Sequence, residues 1–265
     1  MHRLATNSDV TAHSRFECKY LISPLILPQL RDFVTHFARP DRYAAMHSGY
    51  RYSICSLYLD TDDLQLYQQT VGGNKNRFKL RIRTYSDERS APAFFEVKRK
   101  LNNIVQKRRA ILDRDRTREV LEQGLNGWIR HSNRGLVTDA EYFANHLILA
   151  GAKPVVKVRY MREAYESRSG DPVRITLDTD LMHAVTLNHD LSFGSGRWVT
   201  TPVSGVILEI KFTDRYPGWV ADLVRIFGLK QQPVPKYVWS VDHVLMGGRE
   251  SALGLAGFTL PPRRA

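Results

Sequence analysis

Lysines and arginines recur at every second residue in separate strand-like stretches, as Lys79, Arg81 and Arg83, as Lys98 and Lys100, and as Lys107 and Arg109. Alternation on a strand turns such residues to one face. Several strands that each turn a cationic face the same way predict a barrel whose wet interior is lined by positive charge, a lumen chemically suited to a polyanion. Among the cations stand isolated acids, Glu17, Glu96 and Glu209. Lone carboxylates beside phosphate-binding cations match a hard divalent ion such as Mg²⁺ or Mn²⁺, which takes one or two carboxylates and fills its shell with water and substrate phosphates. Glu209 is the foremost candidate; Glu17 and Glu96 fit metal ligation and pairing with neighbouring lysines equally well.

The elements that must position these residues are mostly strands. Predicted strands cover Arg15 to Ile22, Tyr52 to Tyr58, Arg77 to Tyr85, Ala93 to Lys100, Asn103 to Leu112, Val155 to Glu166, Arg174 to Asp180 and Val206 to Phe212. Helices are predicted after Ser23-Pro24 to Phe37, from Thr117 to Gln123, from Thr138 to Ala150 and from Pro217 to Phe227, two of them stopped by Gly124 and Gly151. In Arg15-Phe16-Glu17-Cys18-Lys19-Tyr20 the charged residues share one face, and in the row from Arg77 to Arg83 the intervening Phe78, Leu80 and Ile82 point the other way, as a barrel wall requires. Residues 1–14 and 248–265 read as tails around a single α+β domain at 15–247, with no internal repeat.

Of the 265 residues, 43% are hydrophobic and 25% charged, enough for a sizeable core. Lysine and arginine number 39 against 27 acids, a net charge of +12, which admits nucleic acid, nucleotides, polyphosphate and anionic membranes as partners. No apolar run reaches the length of a membrane span, and the first residues lack a signal peptide's apolar segment. Cys18 and Cys55 have no pairing pattern and read as reduced thiols. There is no phosphate-binding Gly-x-x-x-x-Gly-Lys loop, and the histidines have no ligand spacing. Trp198, Trp219 and Trp239 read as core or nucleotide-mouth residues, and the basic strands carry no RNA-binding aromatic motif, so no nucleic-acid partner is expected.

Taken in order, Glu17-Cys18-Lys19-Tyr20, Ser56-Leu57-Tyr58-Leu59-Asp60-Thr61, Lys79-Leu80-Arg81-Ile82-Arg83, Glu96-Val97-Lys98, Lys107-Arg108-Arg109, Tyr160-Met161-Arg162, Arg174-Ile175-Thr176-Leu177-Asp178, Glu209-Ile210-Lys211-Phe212 and Pro235-Lys236-Tyr237 resemble the triphosphate tunnel enzymes. Within them the chain is similar to the VTC domain that polymerises polyphosphate, across about residues 14 to 246. The resemblance implies an antiparallel β-barrel forming a cation-lined tunnel with helices packed outside. It also implies phosphate-binding roles for Lys19, Arg81, Arg83, Lys98, Lys107, Arg162, Arg174 and Lys236, and a metal-binding role for Glu209.

Relatives that hydrolyse triphosphate open with Glu-x-Glu-x-Lys, whereas the first of those acids is replaced here by Arg15. Losing a carboxylate disfavours metal-activated water attack, which favours a polymerase that moves the γ-phosphoryl group of ATP onto polyphosphate with Mn²⁺ or Mg²⁺. In that reading Arg81, Arg83, Lys98, Arg162 and Arg174 clamp the nucleotide, while Lys19, Lys107 and Lys236 hold the transferred or acceptor phosphates. A tripolyphosphate or nucleoside triphosphate hydrolase on the same barrel, and a non-catalytic binder of polyphosphate or RNA, are the alternatives. Some relatives sit in membrane-bound assemblies with a regulatory or membrane partner; the expectation here is a cytoplasmic catalytic domain.

Overall fold

The computed structural model describes residues 15–88, 90–102, 104–123, 138–168, 172–213 and 215–247. Ten strands form one mostly antiparallel sheet: β1 (Arg15–Ile22), β2 (Ala38–Pro40), β3 (Arg51–Asp60), β4 (Asn76–Thr84), β5 (Pro92–Leu101), β6 (Ile104–Asp113), β7 (Lys153–Ser167), β8 (Val173–Val185), β9 (Val199–Thr200) and β10 (Val206–Thr213). Their order is β1-β10-β8-β7-β3-β4-β5-β6, with β2 on β7 and β9 on β8. Six helices complete an α+β fold: α1 (Leu27–Phe37), α2 (Gln65–Val71), α3 (Arg116–Gln123), α4 (Asp139–Ala150), α5 (Gly218–Ile226) and α6 (Lys236–Met246). Among the described residues the strand order ends at β1 on one side and β6 on the other with no ladder joining them, so the expected barrel is met by an open path of strands. Alternation sets which face is wet; closure depends on tilt and stagger, which alternation does not encode.

All eight expected strands are present within a few residues of their expected ends, β7 and β8 running beyond them. The first expected helix divides into a 3₁₀ turn, Pro24–Ile26, capped by the Ser23 hydroxyl, and α1. The helix α4 carries both signals that delimit it: Thr138 and Glu141 form a reciprocal capping box, and Gly151 closes the end at φ 60°. Two helices were not expected, α2 and α6. The helix α2 has 7 residues and starts on Leu64 in the left-handed region, and α6, of 11 residues, begins immediately after Pro235. Gly124, which was to stop α3, lies outside the described residues.

The chain packs as two compact units. The first comprises residues 1–51, 162–179 and 204–234. Its core places Leu27, Leu30 and Val34 of α1 and Val220 and Leu223 of α5 with Tyr20, Ile175, Leu177, Leu208 and Ile210 of the strands. The alternate residues of those strands, Glu17, Lys19, Thr176, Glu209 and Lys211, lie on the opposite face. The pairing of β1 with β10 starts beside Gly205, at φ 153°, where a Cβ would stand 2.4 Å from the Ile22 carbonyl oxygen, so only glycine fits.

The second unit comprises residues 52–161, 180–203 and 235–265. Phe143 and Leu147 of α4 and Val120 of α3 pack with Leu57, Leu59, Leu80, Ile82, Phe95 and Val97. Phe95 and Phe143 meet edge to face with centroids 5.2 Å apart. On β4 and β5 the core side is apolar and the alternate side carries Lys79, Arg81, Arg83, Glu96 and Lys98. Both cysteines are free, Cys55 buried and Cys18 partly so. No helix among the described residues is long and apolar enough to cross a membrane. Replacing Phe143 by Ala empties a fully buried aromatic site and is expected to lower the unfolding free energy by about 3–5 kcal/mol, read by denaturant titration.

Candidate functional site

Pairing register turns the alternating cations of the second unit into lateral rows. Lys79 lies opposite Lys98, and Lys98 opposite Lys107. One step along, Tyr58 lies opposite Arg81, Arg81 opposite Glu96, and Glu96 opposite Arg109; the next row sets Ser56 opposite Arg83. Like charges directly opposite on neighbouring strands destabilise a sheet. Three lysines thus share one row, and Lys107 in it is paired with Glu96.

Glu96 holds the face together. It is 1% exposed. Arg81 Nε donates to one carboxylate oxygen at 2.6 Å, and the other receives Lys107 Nζ at 2.6 Å and Arg109 Nε at 2.7 Å. Burial favours the neutral acid, but Arg81, Arg83, Lys107 and Arg109 outweigh it and hold Glu96 ionised far below the usual carboxylate range. The Lys107 ammonium is pulled down to about 8 by burial, with Arg81 and Arg109 adding to the effect and Glu96 opposing it. A group titrating there loses its charge, and its hold on an anion, as pH rises through that value.

Arg83 is 6% exposed, and donates to Ser56 Oγ and to the Tyr160 hydroxyl, each at 3.1 Å. Lys236, the first residue of α6, places its ammonium 4.8 Å from the centre of the Tyr160 ring. A cation at the positive end of a helix is electrostatically unfavourable for the helix, and the Tyr160 ring face offsets part of that cost. The next residue, Tyr237, stacks on Tyr58 at 4.9 Å and donates to Asp60 at 2.6 Å. Asp60 also accepts from the backbone amides of Leu66 and Tyr67, at 2.8 Å each, which ties the first turn of α2 to β3.

The first unit carries a face of mixed sign. Lys19 lies opposite Glu209, which lies opposite Thr176; Glu17 lies opposite Lys211, which lies opposite Arg174. The two carboxylates and two ammonium groups alternate: Lys19 Nζ is 2.7 Å from Glu17 and 3.7 Å from Glu209, and Lys211 Nζ is 2.5 Å from Glu209 and 3.8 Å from Glu17. The buried Thr176 hydroxyl has no hydrogen-bond partner among the described residues. Asp178 grips Arg162 through two bonds of 2.6 and 2.8 Å, and Asp41 holds Arg174 at 2.6 Å.

The expected site residues thus divide by unit. Arg81, Arg83, Lys98, Lys107, Lys236 and Glu96 belong to the second; Lys19, Arg162, Arg174, Glu17 and Glu209 belong to the first. No group of three or more His, Cys, Asp or Glu side chains converges among the described residues. Two carboxylates with an unpartnered hydroxyl beside them are nonetheless a donor set of the all-oxygen kind that Mg²⁺ or Mn²⁺ takes in phosphate sites, so Glu17, Glu209 and Thr176 fit such an ion. Glu96, with its oxygens engaged by three cations, is arranged as their anchor. Sequence reasoning assigned no site role to Ser56, Tyr58, Tyr160, Arg109, Asp178 or Asp41. Tyr160, Arg109 and Asp178 share strand parity with Arg162, Lys107 and Arg174, whereas Ser56 and Tyr58 lie on a strand with no assigned cation, and only the register shows what they touch.

The fold is a mostly antiparallel α+β sheet in which β4, β5 and β6 present carboxylate-anchored cations on one side and an apolar, helix-covered layer on the other. The chain matches the VTC domain family over residues 14–245 and belongs to it. Among solved structures, the PH1819 protein from Pyrococcus horikoshii OT3 is similar at 14% identity and a TM-score of 0.43, over 87% of this chain and 99% of that one. No curated protein matches.

Two outcomes are expected. Glu96→Gln leaves three cations without their shared counter-charge and lowers stability by about 3 kcal/mol. In the wild type this stabilisation is present above the ordinary glutamate value of 4.5 and is lost as pH falls below it; thermal unfolding against pH should show that acid limb flattened in the variant. Lys98→Met, by removing one cation from the row, should weaken tripolyphosphate binding about tenfold, as calorimetry would show.

Proposed function

We propose that the chain is an ATP-dependent polyphosphate polymerase, transferring the γ-phosphoryl group of ATP to a growing polyphosphate chain and releasing ADP. The observation that carries this reading is the register that sets Lys79, Lys98 and Lys107 side by side next to the Glu96 cluster, a density of positive charge matched to a chain of phosphates. Membership of the VTC family supports the choice of polyphosphate as that anion. Closure of the strands into a cation-lined tunnel, with product leaving by the far mouth, is part of the proposal, as is a cytoplasmic location.

The chemistry asks little of the side chains beyond charge and alignment. The terminal oxygen of the acceptor chain bonds to the γ-phosphorus, the bond from that phosphorus to the β,γ-bridging oxygen breaks, and its electron pair leaves on ADP. The nucleophile is already an anionic oxygen, so no Ser, Cys or His is required. Arg81, Arg83, Lys98, Arg162 and Arg174 clamp the nucleotide triphosphate, and Lys19, Lys107 and Lys236 hold the transferred and acceptor phosphates. Buried arginines tied to fixed partners, such as Arg83 on Ser56 and Tyr160, present their remaining donors in a set direction, which orients the phosphates at little further entropic loss. Glu209 and Glu17, with the Thr176 hydroxyl, would hold Mn²⁺ or Mg²⁺, which when bound supplies neutralisation of the phosphate charge.

Incubation of the purified protein with ATP and Mn²⁺ or Mg²⁺, resolving ADP, orthophosphate and polyphosphate together, tests the reading. The expected outcome is ADP with a polyphosphate ladder, lost in Glu209→Ala. Orthophosphate without polymer would replace the reading with a hydrolase, and polyphosphate binding without turnover would replace it with a binding protein.

A further inference from the structure

Tyr58 lies on β3 directly opposite Arg81, 7% exposed and unused by the mechanism above. Its ring is fixed, stacked on Tyr237 with an interplanar angle of 18°, and the Tyr237 hydroxyl is committed to Asp60. Its own hydroxyl oxygen accepts a long hydrogen bond of 3.5 Å from Arg81 Nη1, and this is its one hydrogen bond among the described residues. The hydroxyl hydrogen therefore has no acceptor there. The charged groups that face it are Lys79, Arg81 and Arg83 of β4, and all three are donors that offer it nothing to bond. An acceptor for that hydrogen has to arrive from outside, and beside two arginines and a lysine it will be an anion's oxygen.

We propose that Tyr58 is a further phosphate-contacting residue of this site, donating its hydroxyl hydrogen to a phosphate oxygen held by Arg81 and Arg83, so that polyanion binding is coupled to proton uptake by this side chain. The inference rests on the reading of the β4–β6 face as a polyanion site and adds to it a group of a different kind. The two stacked tyrosines are pushed in opposite directions, a pattern that marks groups with separate proton roles. Burial resists ionisation of Tyr58, yet Arg81, Arg83 and Lys79 overcome it and bring the phenol down to about 8, whereas burial and then Asp60 hold Tyr237 far above the ordinary range. A bound phosphate neutralises the cations that lower Tyr58, and its oxygen accepts from the neutral phenol alone. Both effects return the proton to the ring.

The test is tripolyphosphate binding by wild type and Tyr58→Phe, a variant that keeps the stack on Tyr237 and should melt within a few degrees of wild type. In free wild type, tyrosinate absorbance should include a component titrating near 8 that disappears when tripolyphosphate is added; the variant should lack it. Calorimetry near that pH in two buffers of different ionisation enthalpy should show less proton uptake in the variant, the remainder coming from Lys107 and from Tyr85, whose phenol burial raises but Arg83 and Arg109 together lower. At neutral pH the variant should bind about tenfold more weakly, as for loss of a hydrogen bond to a charged group. Wild-type binding with identical proton uptake and affinity in the variant would overturn the role of Tyr58 and leave the polyanion site standing. Failure of wild type to bind tripolyphosphate would overturn both.

Discussion

Repulsion among the cations of β4, β5 and β6, restrained by one buried carboxylate, is the constraint on which the second unit is built. Glu96 sits in the middle strand of the three and touches cations from both neighbours. Without it, Arg81, Lys107 and Arg109 would be drawn out of water against one another on a face whose neighbouring row is already three lysines wide. The apolar layer behind, with Phe95 and Val97 beside Glu96 in sequence, keeps that strand in place. Core burial on one face and charge on the other are thus two consequences of one alternating pattern, and the first sustains the second.

The first unit uses the same strand logic with a different balance of sign. Its acids and bases are interleaved, Glu17 and Glu209 with Lys19 and Lys211, so its face is nearly neutral locally. That difference suits different tasks: a face rich in cations for phosphates, and one with two carboxylates and a spare hydroxyl for a divalent ion. The arginines of the first unit are likewise backed by acids, Arg162 by Asp178 and Arg174 by Asp41. Each such acid fixes one edge of a guanidinium and leaves the remaining donors preorganised.

Much of this was legible in the sequence, because alternation is a local signal. The strands, the charged and apolar faces, the cap at Thr138 and the stop at Gly151 all follow from residues within a few positions of one another. What was not legible depends on pairing between distant strands. The parity of Lys79, Lys98 and Lys107 was plain, but that they stand in one row is a fact of register. Glu96 read equally well as a metal ligand and as an ion-pair partner, and its three contacts come from β4 and β6. Tyr58 was one residue of a family motif until pairing with Arg81 and stacking on Tyr237 gave it surroundings. The helices α2 and α6 escaped because their starts are fixed by Asp60 and by Tyr237, side chains held by tertiary contacts rather than by a cap adjacent in sequence.

Binding of a linear polyanion on the cationic face of β4, β5 and β6 is the central proposal, and thermal unfolding measured against polyphosphates of increasing length, at constant total phosphate, tests it most directly. Stabilisation that grows with chain length and far exceeds that from sulfate of equal charge is the result expected. Stabilisation that does not exceed that from sulfate, at any chain length, would contradict it.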